Sequence, residues 1–281
     1  MKEEWTVKDG QMDCEKDGRT MNLKVEHLRC GYGDRIVVKD FSLSQEAGRV
    51  LCILGPNGVG KTTLFKTILG HLPRLGGSIL LDGKEISTMS QKEQARWISY
   101  VPQAHQAPFA FSVLDVVTMG RIAHLGFFGS PGRKDTEAAW QVMEMLGIGH
   151  LAEQAFSEIS GGERQMVLIA RALAQQPRFL MMDEPTSNLD FGNQVKVMNA
   201  VRKLAAGGLG IIMTTHDPDQ VFWCGADVVL MMRDGRICSG LAEDIVTEEH
   251  MQEAYGVPVL VGQININHQR TSKVCQPLLE G

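Results

Sequence analysis

Long apolar runs are missing from this chain. No stretch approaches the roughly 18–20 consecutive apolar residues that a membrane-spanning helix needs. The segment that begins Met1-Lys2-Glu3-Glu4-Trp5 has mixed charge and lacks the apolar stretch of a secretory signal. Because 43% of the residues are nevertheless hydrophobic, we expect a soluble globular fold with a substantial core.

Basic residues and paired cysteines are also scarce. The net charge is −5, which argues against a nucleic-acid surface, so we expect no nucleic-acid partner. The six cysteines include no C-x-x-C pair, which makes a zinc site or a disulfide framework a poor interpretation. Without an export signal, reduced thiols packed as small hydrophobic groups are expected.

The first part of the chain is typical of antiparallel strands. The 281 residues suffice for one large α/β domain or two small ones. Alternating apolar residues from Met21 predict a half-buried strand, and the run 36–38 predicts a second. Residues 78–81 and 84–86, separated by Asp82-Gly83, predict a β-hairpin with a tight turn.

The pattern becomes helical between about residues 104 and 176. Ser112 resembles an N-cap, Gly147 is a plausible helix end, and Pro177 ends a later helix. Buried strands are then predicted at 179–182, 211–214 and 228–232. Because helical segments separate them, these strands predict a parallel sheet.

One loop predicts that the chain binds a nucleoside triphosphate. It follows the apolar strand 50–54 and precedes a helix that contains Thr63, the context in which G-x-x-x-x-G-K-[ST] forms a phosphate cradle. Lys61 would reach the β- and γ-phosphates, and the Thr62 hydroxyl would hold Mg²⁺. The residues expected to bind the nucleotide here are Gly55, Pro56, Asn57, Gly58, Val59, Gly60, Lys61, Thr62 and Thr63.

A second motif places two carboxylates after an apolar strand. Residues 179–182 lead to Asp183 and Glu184, at the sheet edge where ligands of α/β proteins bind. Asp183 would orient Mg²⁺ through its water shell, and Glu184 would polarise the attacking water. The alternative is a pair that caps the next helix, but the upstream phosphate loop favours catalysis.

A third motif, Ser160-Gly161-Gly162-Glu163, opens a helix and offers a second anion site. Together the three motifs resemble the ATP-binding subunit of an ABC transporter, over roughly residues 21–261. They resemble the family's Walker A, Walker B and signature motifs, with Ile159 where Leu is usual and Met166 where Arg often follows. Neither departure removes a phosphate-binding group.

The resemblance implies an α/β fold of the P-loop NTPase (RecA-like) type. It has a mixed sheet core, an antiparallel β subdomain and an inserted helical subdomain at about 104–176. The ATPase domain would cover 21–261, between a flexible extension (1–20) and a C-terminal tail (262–281). ATP and Mg²⁺ are the implied cofactors.

The resemblance also implies roles for single residues. Tyr32 would stack on adenine, and Gln103 of the Q-loop would reach Mg²⁺ and the attacking water. Asp190 belongs to the D-loop, and His216 to the switch position, where it would contact the γ-phosphate. The alternatives to these nucleotide contacts are structural. Tyr32 would be an ordinary aromatic residue of a turn, and His216 a partly buried imidazole whose hydrogen bonds are made within the protein.

The implied partners are other proteins of a transporter. Two subunits of the family pair head to tail, so we expect a second ATPase subunit, most simply a second copy. Residues 109–129 and the segment 255–259 resemble importers of iron–siderophore complexes, haem and cobalamin. The region Phe109–Phe128 would receive a membrane permease on the cytoplasmic face of the membrane, and an extracytoplasmic substrate-binding protein would act indirectly. The alternatives are a soluble ABC ATPase acting on ribosomes or nucleic acid and a small-molecule kinase.

Overall fold

The computed structural model describes residues 6–8, 11–13, 21–103, 111–125, 129–267 and 270–279. No helix in these ranges is long and apolar enough to cross a membrane. The strands are β1 (Thr6–Lys8), β2 (Gln11–Asp13), β3 (Asn22–Tyr32), β4 (Arg35–Glu46), β5 (Val50–Leu54), β6 (Gly76–Leu81), β7 (Lys84–Glu85), β8 (Ile98–Val101), β9 (Phe179–Asp183), β10 (Gly210–Thr215), β11 (Asp227–Met231), β12 (Ile237–Leu241), β13 (Val259–Asn267) and β14 (Arg270–Pro277). The helices are α1 (Lys61–Ile68), α2 (Gln91–Trp97), α3 (Val113–Thr118), α4 (Arg133–Met145), α5 (Gly161–Ala174), α6 (Phe191–Ala206), α7 (Asp219–Cys224), α8 (Ala242–Ile245) and α9 (Glu248–Tyr255).

A six-stranded sheet forms the centre of the molecule. Its order is β12-β11-β5-β10-β9-β8, and every neighbouring pair is parallel except β11–β12. All residues of β5 and β9 are buried. Leu51 and Ile53 join one apolar core while Cys52 and Leu54 join the other, because successive side chains of a strand point to opposite faces. The sheet therefore separates two cores, and the predicted parallel sheet is confirmed.

A smaller antiparallel sheet packs beside the first of these cores. Its order is β4-β3-β6-β7, and Leu23 and Phe41 meet Phe65 of α1 in the shared core. Asp82 and Gly83 both have positive φ, 50° and 79°, which is the tight turn predicted for this hairpin. Its second strand is shorter than predicted, since Ile86 begins a 3₁₀ turn.

Helices α3, α4 and α5 lie in the range predicted to be helical. Val117, Val142 and Ile169 belong to one buried cluster. The Ser112 side chain accepts a hydrogen bond from the Asp115 N–H at 3.1 Å, which confirms the predicted N-cap of α3. Residues 104–110 and 126–128 of this range lie outside the described residues.

The two ends of the chain contribute strand pairs. β1 and β2 pair within 1–20, and the other residues of that segment are outside the described ranges. Residues 262–267 and 270–277 belong to the antiparallel hairpin β13–β14. Cys275 on this hairpin packs against the main core.

Candidate functional site

The phosphate loop joins the end of β5 to the start of α1. Gly60 has φ 107°, and a Cβ there would lie 2.7 Å from Cγ1 of Val37, so only glycine fits. No side chain caps the N-terminus of α1. Its free N–H groups and positive dipole therefore face the loop and suit an anion.

Lys61, the first residue of α1, is 5% exposed and points into this loop. Its Nζ donates to the carbonyl oxygens of Gly55 (2.6 Å) and Pro56 (3.1 Å) and lies 3.5 Å from Oε1 of Glu184. Burial lowers the pKa of Lys61, and the carboxylates of Glu184 and Asp183 oppose that shift. The ammonium group is thus held at the floor of the cradle by two carbonyl oxygens and the Glu184 carboxylate.

Asp183 and Glu184 follow one another but face different partners. Asp183 ends β9 and is 5% exposed, whereas Glu184 has φ 46°. This left-handed conformation is rare for a residue with a side chain. It turns the Glu184 carboxylate toward Lys61 and His216, whose Nδ1 lies 3.2 Å from Oε2.

Thr214 of β10 forms hydrogen bonds with both Asp183 and Glu184. It is fully buried, its Oγ1 donates to Oδ1 of Asp183 at 2.6 Å, and the same oxygen accepts from the Glu184 N–H at 2.9 Å. Tyr100 lies on the other side, 3.5 Å from Oδ2 of Asp183. Burial and the Asp183 carboxylate raise the pKa of Tyr100 to about 12, so its hydroxyl remains a donor. The resemblance places Thr214 in the H-loop without a role of its own; its position opposite Asp183 depends on the register of two parallel strands.

A cavity of about 290 Å³ connects the loop with the aromatic residue predicted to contact adenine. Tyr32 is half exposed, and its phenol oxygen accepts a hydrogen bond from the Thr63 hydroxyl at 3.4 Å. Arg35, which sequence reasoning missed, pairs with Tyr32 across the β3–β4 turn. The cavity is lined by Tyr32, Arg35, Val37, Asn57, Gly58, Gly60, Lys61, Thr62, Thr63 and Glu184.

The donor set near the cavity suits Mg²⁺. The Thr62 hydroxyl and the Asp183 carboxylate are hard oxygen ligands, the kind this ion prefers. Both Asp183 oxygens already accept hydrogen bonds, which favours contact through water. Gln103 does not line the cavity; its Nε2 donates to Oγ of Ser187 at 3.0 Å.

Asp190 and the 160–163 motif cap helices and do not line the same cavity. Oδ1 of Asp190 accepts from the Asn193 N–H at 2.9 Å and thereby begins α6. Ser160 and Glu163 form a reciprocal capping box at the start of α5. Their hydrogen bonds lower the pKa of Glu163. Gly161 and Gly162 follow as the first residues of α5.

Comparisons with known proteins give a consistent result. A family model described as ABC transporter matches residues 38–187. An ABC transporter ATP-binding protein of Haemophilus influenzae is 40% identical over 89% of this chain and 95% of its own length. An iron chelatin transport ATP-binding protein of Helicobacter pylori is 36% identical over 85% of this chain and 94% of its own. A solved metal-chelate type ABC transporter in an inward-facing conformation matches with a TM-score of 0.83 and 32% identity, over 93% of this chain and 98% of that one.

Proposed function

Since this chain belongs to the ABC transporter family and is an ATP-binding, ATP-hydrolysing subunit, we propose that it powers the import of a metal chelate across a membrane. Relatives named for iron chelatin, iron(3+)-hydroxamate and hemin transport support this substrate class. The siderophore, haem or cobalamin type of chelate is the class we expect. These relatives favour the transporter over the soluble ATPase and over the small-molecule kinase.

The observation that carries the proposed catalytic role is the position of Glu184 between Lys61 and His216. Lys61 and the loop N–H groups would bind the β- and γ-phosphates. Glu184 would accept a proton from the attacking water, and the exposed His216 imidazole would contact the γ-phosphate. Tyr32 would stack on adenine.

The proposed metal site consists of Thr62 and Asp183, with Gln103 reaching it after a rearrangement away from Ser187. Mg²⁺ bound there would neutralise charge that develops on the phosphate oxygens. Gln103 would then couple the metal to the helical region that follows it.

The proposed assembly has two copies of this chain and a membrane permease, with this chain at the cytoplasmic face of the membrane. Residues 160–163 lie outside the cavity that contains Lys61. A second copy placed head to tail would bring its own Ser160, Gly161, Gly162 and Glu163, with Asp190 nearby, to complete the site. Phe111 and Ile122, which are 46% and 59% exposed, would contact the permease, and an extracytoplasmic binding protein would deliver the chelate.

Uptake of labelled chelates tests this proposal. Cells of the source organism that lack the gene would receive the wild type, Glu184→Gln or the matched control Glu249→Gln, an exposed carboxylate at the start of α9. We expect the wild type and Glu249→Gln to restore uptake of a ferric hydroxamate, haem or cobalamin, and Glu184→Gln to restore none. Normal uptake of all three compounds in cells without the gene would contradict the proposed substrate class.

A further inference from the structure

A tyrosine that is distant in the sequence from the phosphate loop contacts the backbone of the switch histidine. Tyr255 is the last residue of α9 and begins the segment Tyr255-Gly256-Val257-Pro258-Val259, to which the ATP site assigns no role. Its hydroxyl donates to the carbonyl oxygen of His216 at 2.9 Å, across 39 positions of the chain. Burial raises the pKa of Tyr255, so the hydroxyl retains its proton and remains a donor.

The position of this ring is fixed at both ends of its helix. The Thr247 side chain caps α9 by accepting from the His250 N–H. At the other end Gly256 has φ 76°, and its N–H donates to the carbonyl oxygen of Gln252 at 2.8 Å. Tyr255 itself packs against the main core. The two helix ends and the core contact therefore fix the position of the Tyr255 hydroxyl.

The hairpin that follows makes a second contact with the same loop. The Cys275 N–H donates to Oδ1 of Asp219 at 2.7 Å, and the Asp219 N–H donates to Oδ1 of Asp217 at 3.0 Å. Thr215 secures the loop from inside, because its Oγ1 accepts from the Asp217 N–H at 3.0 Å. Residues 216–219 are thus held between β10 and the C-terminal segment.

We propose that Tyr255 is a positioning residue for ATP hydrolysis, which fixes the peptide after His216 and thereby the direction of its imidazole. This inference rests on the proposed role of His216. The imidazole is half exposed and Nδ1 lies 3.2 Å from Glu184, so rotation of the neighbouring peptide would move it away from the carboxylate. Without the hydroxyl, the nucleotide would still bind, but the switch histidine would adopt its working position less often.

The first experiment compares steady-state hydrolysis by the full-length wild type and Tyr255→Phe, which loses only the hydroxyl. We expect kcat to fall about 3- to 10-fold, the usual effect of one lost hydrogen bond. The KM for ATP should stay within about two-fold, because Tyr255 does not line the cavity that contains Lys61. Thr247→Val is the matched control: it removes one hydrogen bond from the other end of α9 and should lower thermal stability without changing kcat. An unchanged kcat in Tyr255→Phe, or an equal loss in Thr247→Val, would overturn the inference.

The second experiment asks whether Tyr255 acts through His216. In a His216→Ala background, with residual hydrolysis measured on radiolabelled ATP, adding Tyr255→Phe should cause no further loss. The same fold-loss in both backgrounds would overturn the inference while leaving the role of His216 intact. Normal hydrolysis by His216→Ala alone would instead overturn that role, and with it the reason for positioning the loop.

Discussion

Single residues at the end of β9 decide the chemistry of the site. Asp183 stays in strand conformation while Glu184 turns to φ 46°, so one carboxylate faces Thr214 and Tyr100 and the other faces Lys61 and His216. If Glu184 continued the regular strand, its side chain would still point to the face opposite that of Asp183. The positive φ instead directs the Glu184 carboxylate toward Lys61. The left-handed residue is thus part of the proposed mechanism, as backbone strain at active sites often is.

We expect Glu184→Gln to lose at least about 10²-fold in ATP hydrolysis, because an amide cannot take the proton from water and general-base catalysis contributes about 10²–10⁴-fold. ATP binding should persist, since the loop and Lys61 are unchanged and one negative charge beside the phosphates is gone. Gel filtration with Mg²⁺ and ATP should then show a stable dimer with trapped nucleotide. Hydrolysis within a few-fold of the wild type would mean that Glu184 is not the base.

Thr214 offers a sharper test of the same carboxylates. Thr214→Val keeps the shape of the side chain but leaves Oδ1 of Asp183 and the N–H of Glu184 without their partner. We expect unfolding free energy to fall by about 1–3 kcal/mol, together with a loss of hydrolysis. Thr214→Ser keeps the hydroxyl and removes one methyl group, so it should retain activity within a few-fold. Urea unfolding and ATPase rates of the two variants check this prediction. Wild-type activity in Thr214→Val would show that the hydroxyl is dispensable.

At the scale of elements, the sequence predicts what depends on neighbouring residues. The strand–loop–helix at 50–68, the Asp82-Gly83 turn and the Ser112 cap all involve residues within a few positions of each other, and all are present. The hairpin β13–β14 could not be predicted in this way. Gly262, Asn265 and Asn267 are residues that strands disfavour, and only packing against α7 and α9 overrides that preference.

The candidate site also divides into residues within contiguous motifs and residues that depend on tertiary contacts. The sequence predicts roles for residues of the contiguous motifs. It does not predict the roles of Thr214, Arg35 and Tyr255, which depend on strand register, a cross-strand pair and a contact 39 positions away. Each of these depends on which elements become neighbours, and apolar periodicity does not encode that. The position of Gln103 beside Ser187 is a tertiary contact of the same kind.

The capping box of α5 predicts a pH dependence. Hydrogen bonds from the Ser160 side chain and N–H hold the pKa of Glu163 below its ordinary value. A depressed carboxyl pKa contributes stability that is present above the unfolded pKa, about 4.3, and is lost as pH falls through the folded value. We therefore expect Glu163→Ala to be less stable than the wild type near pH 6 by a margin that shrinks toward pH 3. Thermal unfolding of both proteins at several pH values measures this difference in stability. A difference that does not change with pH would contradict this role of the Glu163 carboxylate.

At the scale of the whole molecule, the proposed permease contact at Phe111 lies in the helical region, away from the cavity that contains Lys61. Phe111 lies two positions before α3, and its carbonyl oxygen accepts a hydrogen bond from the Phe156 N–H at 2.9 Å. This bond connects the exposed aromatic residue to the segment before the 160–163 motif. Gln103 lies at the start of the same region and contacts Ser187 beside the nucleotide site. A partner bound at Phe111 would therefore be connected to the 160–163 motif through the Phe156 hydrogen bond and would lie eight positions after Gln103.

Phe111→Asp tests whether a permease binds there. A charge in an apolar contact is costly without a partner, so we expect binding to the permease to weaken at least about 10-fold and coupled transport to fail. The isolated subunit should still bind ATP, because Phe111 does not line the cavity that contains Lys61. Leu241→Asp is the matched control: Leu241 is 58% exposed at the end of β12, and the same charge there should leave the complex intact. Co-purification of each variant with the permease measures complex formation. Normal assembly of Phe111→Asp with the permease would show that the docking surface lies elsewhere on the chain.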